Sequence, residues 1–169
     1  MEKEGEKKEK AKGEKKFVRA YEGESWRTRI YETSDGRKYV KEGGSRSWRN
    51  NNPGNLKYGE WRNARRDGAI GMDRGGFAIF PDIKTGTEAQ YKLIKKWQRE
   101  NLTLEQFVYK YAPPNENDTK RYIRFLMREM SISNKNMYLK NLNDNQIKKL
   151  GDYIREYEGW RVGKIYYEK

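Results

Sequence analysis

Residues 43–59, GGSRSWRNNNPGNLKYG, combine three consecutive asparagines, a Pro-Gly pair and a fourth asparagine in one short run. Asparagine side chains compete for backbone hydrogen bonds and proline lacks a donor, so this stretch predicts a structured loop and not a continuous helix or central strand. Its carboxamides can donate and accept, and with bordering aromatic rings they suit a polar, ring-shaped ligand such as a sugar. The alternative is a turn whose asparagines satisfy only their own backbone. The candidate ligand contacts are Asn51, Asn52, Asn55 and Tyr58.

A β-hairpin is predicted upstream of this asparagine loop. Asp35-Gly36 lies between two runs of β-prone residues, which is a strong hairpin signal. Residues 17–42 are therefore expected to form a β-hairpin extension. Residues 1–16 alternate Lys and Glu and have almost no apolar side chain, so we expect a disordered charged tail there.

The pattern downstream of the loop is mainly helical. Residues 77–80 precede Pro81 and follow several glycines, which predicts a brief strand in a small sheet. Amphipathic helices are predicted over residues 83–100, from 103 to the Pro113-Pro114 pair, from about 119, and from about 143 to 158. Thr85 is the candidate cap of the first helix. These elements predict an α+β domain over residues 43–169, mostly helical with a small antiparallel sheet.

Two residue types are missing from the chain, and their absence restricts the chemistry. There is no cysteine and no histidine. Thiol nucleophiles, disulfides and cysteine metal sites are excluded, and the commonest acid/base and transition-metal ligand is absent. Catalysis would then use carboxylates, which points to glycosidic bonds. We expect neither a metal nor a small-molecule cofactor.

The charge predicts an anionic partner. The formal net charge is +13, and residues 1–16 contribute only +2 of it, so the remainder carries +11. A basic body is attracted to polyanions such as nucleic acid, an anionic membrane or a bacterial cell wall. No apolar run is long enough to cross a bilayer and the N-terminus lacks the apolar core of a signal peptide, so membrane insertion is not expected. The abundance of Lys and Glu is typical of thermophilic proteins.

Glu158 is the most informative carboxylate. It is predicted in the last turn of the final helix, next to the apolar stripe, where partial burial and the helix dipole both raise the pKa of a carboxyl group. A glutamate with a raised pKa suits the general acid of a glycosidase. The alternative is a solvent-facing helix end. Glu116 and Asp118 are the candidates for a second carboxylate, ahead of Asp73, and Asp118 has helix capping as its alternative role.

Three sets of motifs resemble enzymes that cut bacterial cell walls. YIREYEGWRVGKIYY (residues 153–167) resembles the phage-type lysozyme helix in which glycine and then a tyrosine-containing strand follow the acid glutamate. The order NLKYG (55–59), GFAIFPDIKTG (76–86) and KYAPPNENDTKRYI (110–123) is similar to the flagellar-type β-N-acetylglucosaminidases. SRSWRNNNPGN (45–55) resembles small phage-associated proteins of the lysozyme-like superfamily.

This resemblance implies a lysozyme-like fold and a peptidoglycan glycan-strand hydrolase or lytic transglycosylase of phage origin. Glu158 would be the acid, and Tyr109 or Tyr111 would line the sugar sites between the asparagine loop and the loop at residues 112–118. Those families place the glutamate helix before the loop and sheet, whereas here it comes last, which implies a circular permutation. The protein would be a monomer unless it belongs to a virion. It would be made in the host cytoplasm and act on the wall after release or as a virion component.

Two other function classes remain open. A phage virion or cell-wall-binding protein could keep the fold without catalysis. A nucleic-acid binder is suggested by the charge and the aromatic content, but it ranks last because Arg and Lys are spread along the chain without a nucleic-acid motif.

Overall fold

The hairpin predicted at Asp35-Gly36 is present in the computed structural model, which describes residues 16–168. It joins strands β2 (Thr28–Thr33) and β3 (Lys38–Glu42). Gly36 takes a φ of 85° at the turn, in the left-handed region that favours glycine. The tail predicted over residues 1–16 lies outside the described residues, apart from Lys16.

The hairpin belongs to a four-stranded antiparallel sheet. Strand β1 (Phe17–Glu22) pairs with β2, and β6 (Lys164–Glu168) pairs with β3, giving the order β1-β2-β3-β6. Strand β6 thus joins the predicted extension, residues 17–42, to the last residues of the predicted domain, residues 43–169.

Six α-helices and a short second sheet make up the rest of the chain between residues 16 and 168. The helices are α1 (Arg46–Arg49), α2 (Trp61–Arg66), α3 (Ile83–Arg99), α4 (Leu104–Tyr111), α5 (Thr119–Glu129) and α6 (Asp144–Glu158). A 3-10 turn at Leu139–Asn141 precedes α6, and β4 (Gly71–Met72) pairs with β5 (Ala78–Ile79). The prediction of an α+β fold with a small antiparallel sheet is confirmed.

Side-chain caps define the starts of the long helices. The prediction that Thr85 caps α3 is wrong: the cap is Asp82, whose Oδ1 accepts from the backbone N–H and the hydroxyl of Thr85, each at 2.7 Å. Thr103 begins α4 and Asn143 begins α6, each with a reciprocal capping box. Such a cap stabilises a helix by about 1 kcal/mol.

Helices α3 to α6 enclose the main hydrophobic core, in which α6 packs against α3 and α5. A second cluster of apolar residues lies between the asparagine loop, β5 and α3. Its fully buried or nearly buried members are Leu56, Ala64, Ala69, Ala78, Phe80 and Ala89. No helix within residues 16–168 has the length and apolar character needed to span a bilayer.

Hydrogen bonds fasten the end of α6 to the start of the asparagine loop. Ser47 Oγ donates to the carbonyl of Gly159 at 2.6 Å, and the backbone N–H of Ser45 donates to the carbonyl of Arg161 at 2.8 Å. Gly159 ends α6 with a φ of 85°, which redirects the chain towards α1. The last turn of α6 is therefore held beside the loop, although the two are about a hundred residues apart in sequence.

Candidate active site

Asn51 and Asn52 lie in the protein interior, with exposed fractions of 6% and 0%. Asn52 Nδ2 donates to the carbonyls of Leu56 and Ala78, each at 3.0 Å, and its Oδ1 accepts from the backbone N–H of Leu56 at 2.9 Å. Asn51 Nδ2 donates to the carbonyl of Phe80 at 3.1 Å. Both carboxamides fasten the loop to β5 and the residue after it.

Buried charges hold the loop from the side of the sheet. Arg29 donates to Asn50 Oδ1 at 2.6 Å and to Asp73 Oδ2 at 3.1 Å, and Asn50 Nδ2 also donates to Asp73 at 3.0 Å. Lys41 Nζ donates to Asn51 Oδ1 at 2.7 Å, and burial lowers the pKa of this lysine to about 8. Asp73, the third candidate carboxylate, thus belongs to the buried network under the loop.

A cleft of about 760 Å³ opens between the second half of the asparagine loop, the loop after α4, and the ends of α1 and α6. Predicted site residues that line it are Asn55, Tyr58, Tyr111, Glu116 and Glu158. The end of the final helix therefore faces the same cleft as the asparagine loop.

Glu158 is half-buried in this cleft. Burial raises the pKa of its carboxyl group to about 7, and the nearby positive charge of Arg46 acts in the opposite direction. Within residues 16–168 the Glu158 side chain makes no hydrogen bond or ion pair. A carboxyl group in this state is partly protonated at neutral pH and free to donate its proton to a ligand.

The phenol groups of Tyr111 and Tyr122 lie close enough to Glu158 for its charge to affect their pKa values. The Tyr111 hydroxyl donates to the carbonyl of Gly54, and Tyr122 is 1% exposed with no hydrogen-bond partner for its hydroxyl among the described residues. Burial, and then the charge of Glu158, raise the pKa of both phenols. Both stay neutral at physiological pH, so they add no negative charge beside Glu158.

Glu116 forms an ion pair with Lys57, which links the loop after α4 to the asparagine loop across the cleft. The two side chains are 36% and 44% exposed respectively, so this pair is accessible to solvent and to a ligand. Glu116 is therefore neutralised by a direct partner, whereas Glu158 is not.

Asn55 and Tyr58 face the cleft from the asparagine loop. Asn55 has a φ of 48°, and its Oδ1 has no hydrogen-bond partner among residues 16–168. The Tyr58 hydroxyl donates to Asp67 Oδ2 at 2.9 Å, which fixes the ring at the cleft wall. Asn55 thus lies at the cleft wall with its Oδ1 buried and unpaired, and Tyr58 contributes an oriented aromatic ring.

Tyr109, Asp118, Asn51 and Asn52 do not line this cleft. Tyr109 packs against the helical core. Asp118 caps α5 by accepting from the backbone N–H of Arg121 at 3.2 Å, the alternative role recognised from the sequence.

The cleft residues that the sequence did not single out as site residues include Arg46, Phe77, Trp97 and Lys110. The Arg46 guanidinium lies 4.3 Å from the centroid of the Phe77 ring, and Lys110 Nζ lies 5.1 Å from the Trp97 ring. Trp97 follows the apolar periodicity of α3, so its pattern predicted core packing. For Arg46 and Lys110 the sequence carries no signal that separates them from other basic residues.

The described part of the chain has no cluster of three acidic side chains that could hold a metal ion. Comparisons with protein-family models, with curated proteins and with solved structures gave no match.

Proposed function

We propose that the protein cleaves glycosidic bonds in the glycan strands of peptidoglycan, as a hydrolase or lytic transglycosylase, with Glu158 as the general acid. The observation that carries this proposal is a half-buried carboxyl group that makes no hydrogen bond or ion pair with the described residues, in a cleft large enough for sugar rings. A glycosidase needs such a carboxyl group, because the leaving oxygen must be protonated as the bond breaks.

The walls of the cleft fit a carbohydrate. Phe77, Trp97 and Tyr58 line it with aromatic side chains against which sugar rings can pack. Arg46 and Lys110 supply positive charge, which suits the carboxylates of a cell-wall polymer. Asn51 and Asn52 contribute by holding the loop that carries Asn55.

The difference between the two carboxylates favours a single-carboxylate reaction. Glu158 donates its proton to the glycosidic oxygen as the bond from that oxygen to the anomeric carbon breaks. A hydroxyl of the sugar that carries this anomeric carbon then attacks the carbon and gives its proton to Glu158, so no water is consumed. Hydrolysis would instead need a second group to activate water, and the other carboxylate that lines the cleft, Glu116, is held by Lys57.

Mass spectrometry of fragments released from purified peptidoglycan tests the proposal. Intact protein should release fragments, and Glu158→Gln should release fewer by a factor of about a hundred or more, as expected for loss of a general acid. Glu156→Gln is the matched control, because Glu156 is exposed on the same helix. Equal release by Glu158→Gln would overturn the proposal. Anhydro ends would indicate internal attack, and reducing ends would indicate hydrolysis.

A non-catalytic virion or cell-wall-binding protein is the second candidate. The Lys57–Glu116 ion pair favours it, because the cleft then lacks a free second carboxylate. In that case the intact protein would pellet with peptidoglycan and release no fragments. Under either proposal we expect the protein to meet the wall after release from the host cytoplasm or as part of a virion.

A further inference from the structure

Strand β6 (Lys164–Glu168) is an outer strand of the four-stranded sheet, and no strand within residues 16–168 pairs with its far side. The opposite outer strand, β1, is partly covered, since the backbone N–H of Ala20 donates to the carbonyl of Ile70 at 3.1 Å. An outer strand presents backbone N–H and C=O groups that can pair with another chain.

Exposed apolar side chains are concentrated at this edge. They occupy the strand and the residues before it: Trp160, Val162, Ile165 and Tyr166, with exposed fractions between 41% and 63%. Aromatic and β-branched residues favour strand pairing, and exposed apolar groups gathered in one place mark an interaction surface.

In place of the monomer expected from the sequence, we propose that β6 pairs antiparallel with β6 of a second copy of this chain, so that one sheet continues through both copies. The sequence KIYYE is self-complementary in this arrangement. With Tyr166 opposite the partner's Tyr166, Lys164 lies opposite the partner's Glu168 at each end of the pairing. Ile165 then lies opposite the partner's Tyr167.

The charges of the neighbouring strand support this register. Within the chain, Lys38 lies opposite Glu168 and Glu42 lies opposite Lys164. A second copy continues this alternation of sign across the strands. Glu168 would then lie between Lys38 and the partner's Lys164, and Lys164 would lie between Glu42 and the partner's Glu168. Opposite charges across antiparallel strands stabilise the pairing, and like charges destabilise it. A slip by two residues would set Lys164 opposite the partner's Tyr166 and end the alternation.

Single-cysteine variants of the full chain test the pairing, because the chain has no cysteine of its own. Tyr166→Cys puts the thiol on the twofold axis, where opposite Cβ atoms are about 4.5–5.5 Å apart, close to the span of a disulfide. Lys164→Cys is the matched control, because the two copies of its thiol would be about 13 Å apart along the strands. Under mild oxidation Tyr166→Cys should run at twice the monomer mass, and Lys164→Cys alone should not. An equimolar mixture of Lys164→Cys and Glu168→Cys should cross-link.

Charge variants give a second test that does not depend on oxidation. Tyr166→Lys and Tyr166→Glu each place like charges opposite each other on the axis, so each alone should sediment as a monomer. Their equimolar mixture should sediment at the dimer mass, as the unmodified chain should at high concentration. The proposal is overturned if the unmodified chain and the mixture stay monomeric, or if Lys164→Cys cross-links as fully as Tyr166→Cys.

Discussion

Burial and charge act in opposite directions on Glu158. Burial raises the pKa of its carboxyl group, and Arg46 lowers it. Arg46 lines the same cleft, where its guanidinium lies over the Phe77 ring. The balance between the two effects sets the pH range in which Glu158 holds a proton to donate.

Arg46→Met should therefore move the alkaline limb of the pH–activity profile to higher pH. Without the positive charge the pKa of Glu158 rises further, so the carboxyl group stays protonated over a wider range. The measurement is kcat/KM for glycan cleavage from pH 5 to pH 9. Arg65→Met, at an exposed arginine outside the cleft lining, should leave the limb in place. A limb that moves to lower pH in Arg46→Met would contradict this account.

The carboxyl group of Glu158 should lower the free energy of unfolding at alkaline pH. The folded pKa of about 7 lies above the ordinary value of 4.5, so the folded state binds the proton more tightly than the unfolded state. The resulting stabilisation is full below pH 4.5 and is lost as the pH rises through 7. Glu158→Gln should thus be nearly neutral at pH 4 and should raise the free energy of unfolding by on the order of 2 kcal/mol at pH 8. Urea denaturation at both pH values measures this, with Glu156→Gln as the control, and destabilisation by Glu158→Gln at pH 8 would count against it.

Within the asparagine loop, Asn52 and Asn55 should respond differently to mutation. Asn52→Ala leaves the Leu56 N–H and the Ala78 carbonyl without their partner, so it should lower the free energy of unfolding by about 2–4 kcal/mol. Asn55→Gly removes a side chain whose buried Oδ1 has no partner among the described residues and keeps the positive φ accessible, so stability should change by less than about 1 kcal/mol. Chemical denaturation measures both changes. A sugar-binding role should appear as weaker substrate binding in Asn55→Gly, and equal destabilisation by the two changes would contradict the distinction.

The positions of the helices and of the loop were predictable, because their signals are local. Proline, glycine and asparagine mark the loop, and apolar periodicity marks the long helices. The direction in which Asn51 and Asn52 point was not predictable, because their partners Phe80 and Ala78 lie more than twenty residues away. Asp82 was missed as the cap of α3 because the helix begins three residues earlier than the Thr85 signal suggested.

On the scale of the whole molecule, the return of α6 to the loop depends on contacts between distant parts of the chain. The hydrogen bond from Ser47 Oγ to the Gly159 carbonyl cannot be recognised from the sequence around either residue. Local patterns did not predict that Glu158 and the loop share a cleft, and that expectation came from the proposed resemblance to wall-cutting enzymes. The pairing of β6 with β3 was likewise unpredicted, because strand periodicity does not identify a partner.

The net charge of +13 should dominate attachment to the wall. Binding of Glu158→Gln to purified peptidoglycan should weaken by at least about tenfold between about 0.05 M and about 0.5 M NaCl, because salt screens charge–charge attraction. A pelleting assay measures the bound fraction, and uncharged glycan serves as the comparison. Binding that does not change with salt would show that the surface charge is not what holds the protein to the wall.

The protonation state of Glu158 can be observed directly by a carbon-detected NMR titration of its side-chain carboxyl group in the intact protein. Assignment comes from the signal that disappears in Glu158→Gln. We expect a titration midpoint near pH 7 for Glu158. A midpoint near the ordinary value of 4.5 would mean that the cleft does not hold a protonated acid at neutral pH and that Glu158 is not the general acid.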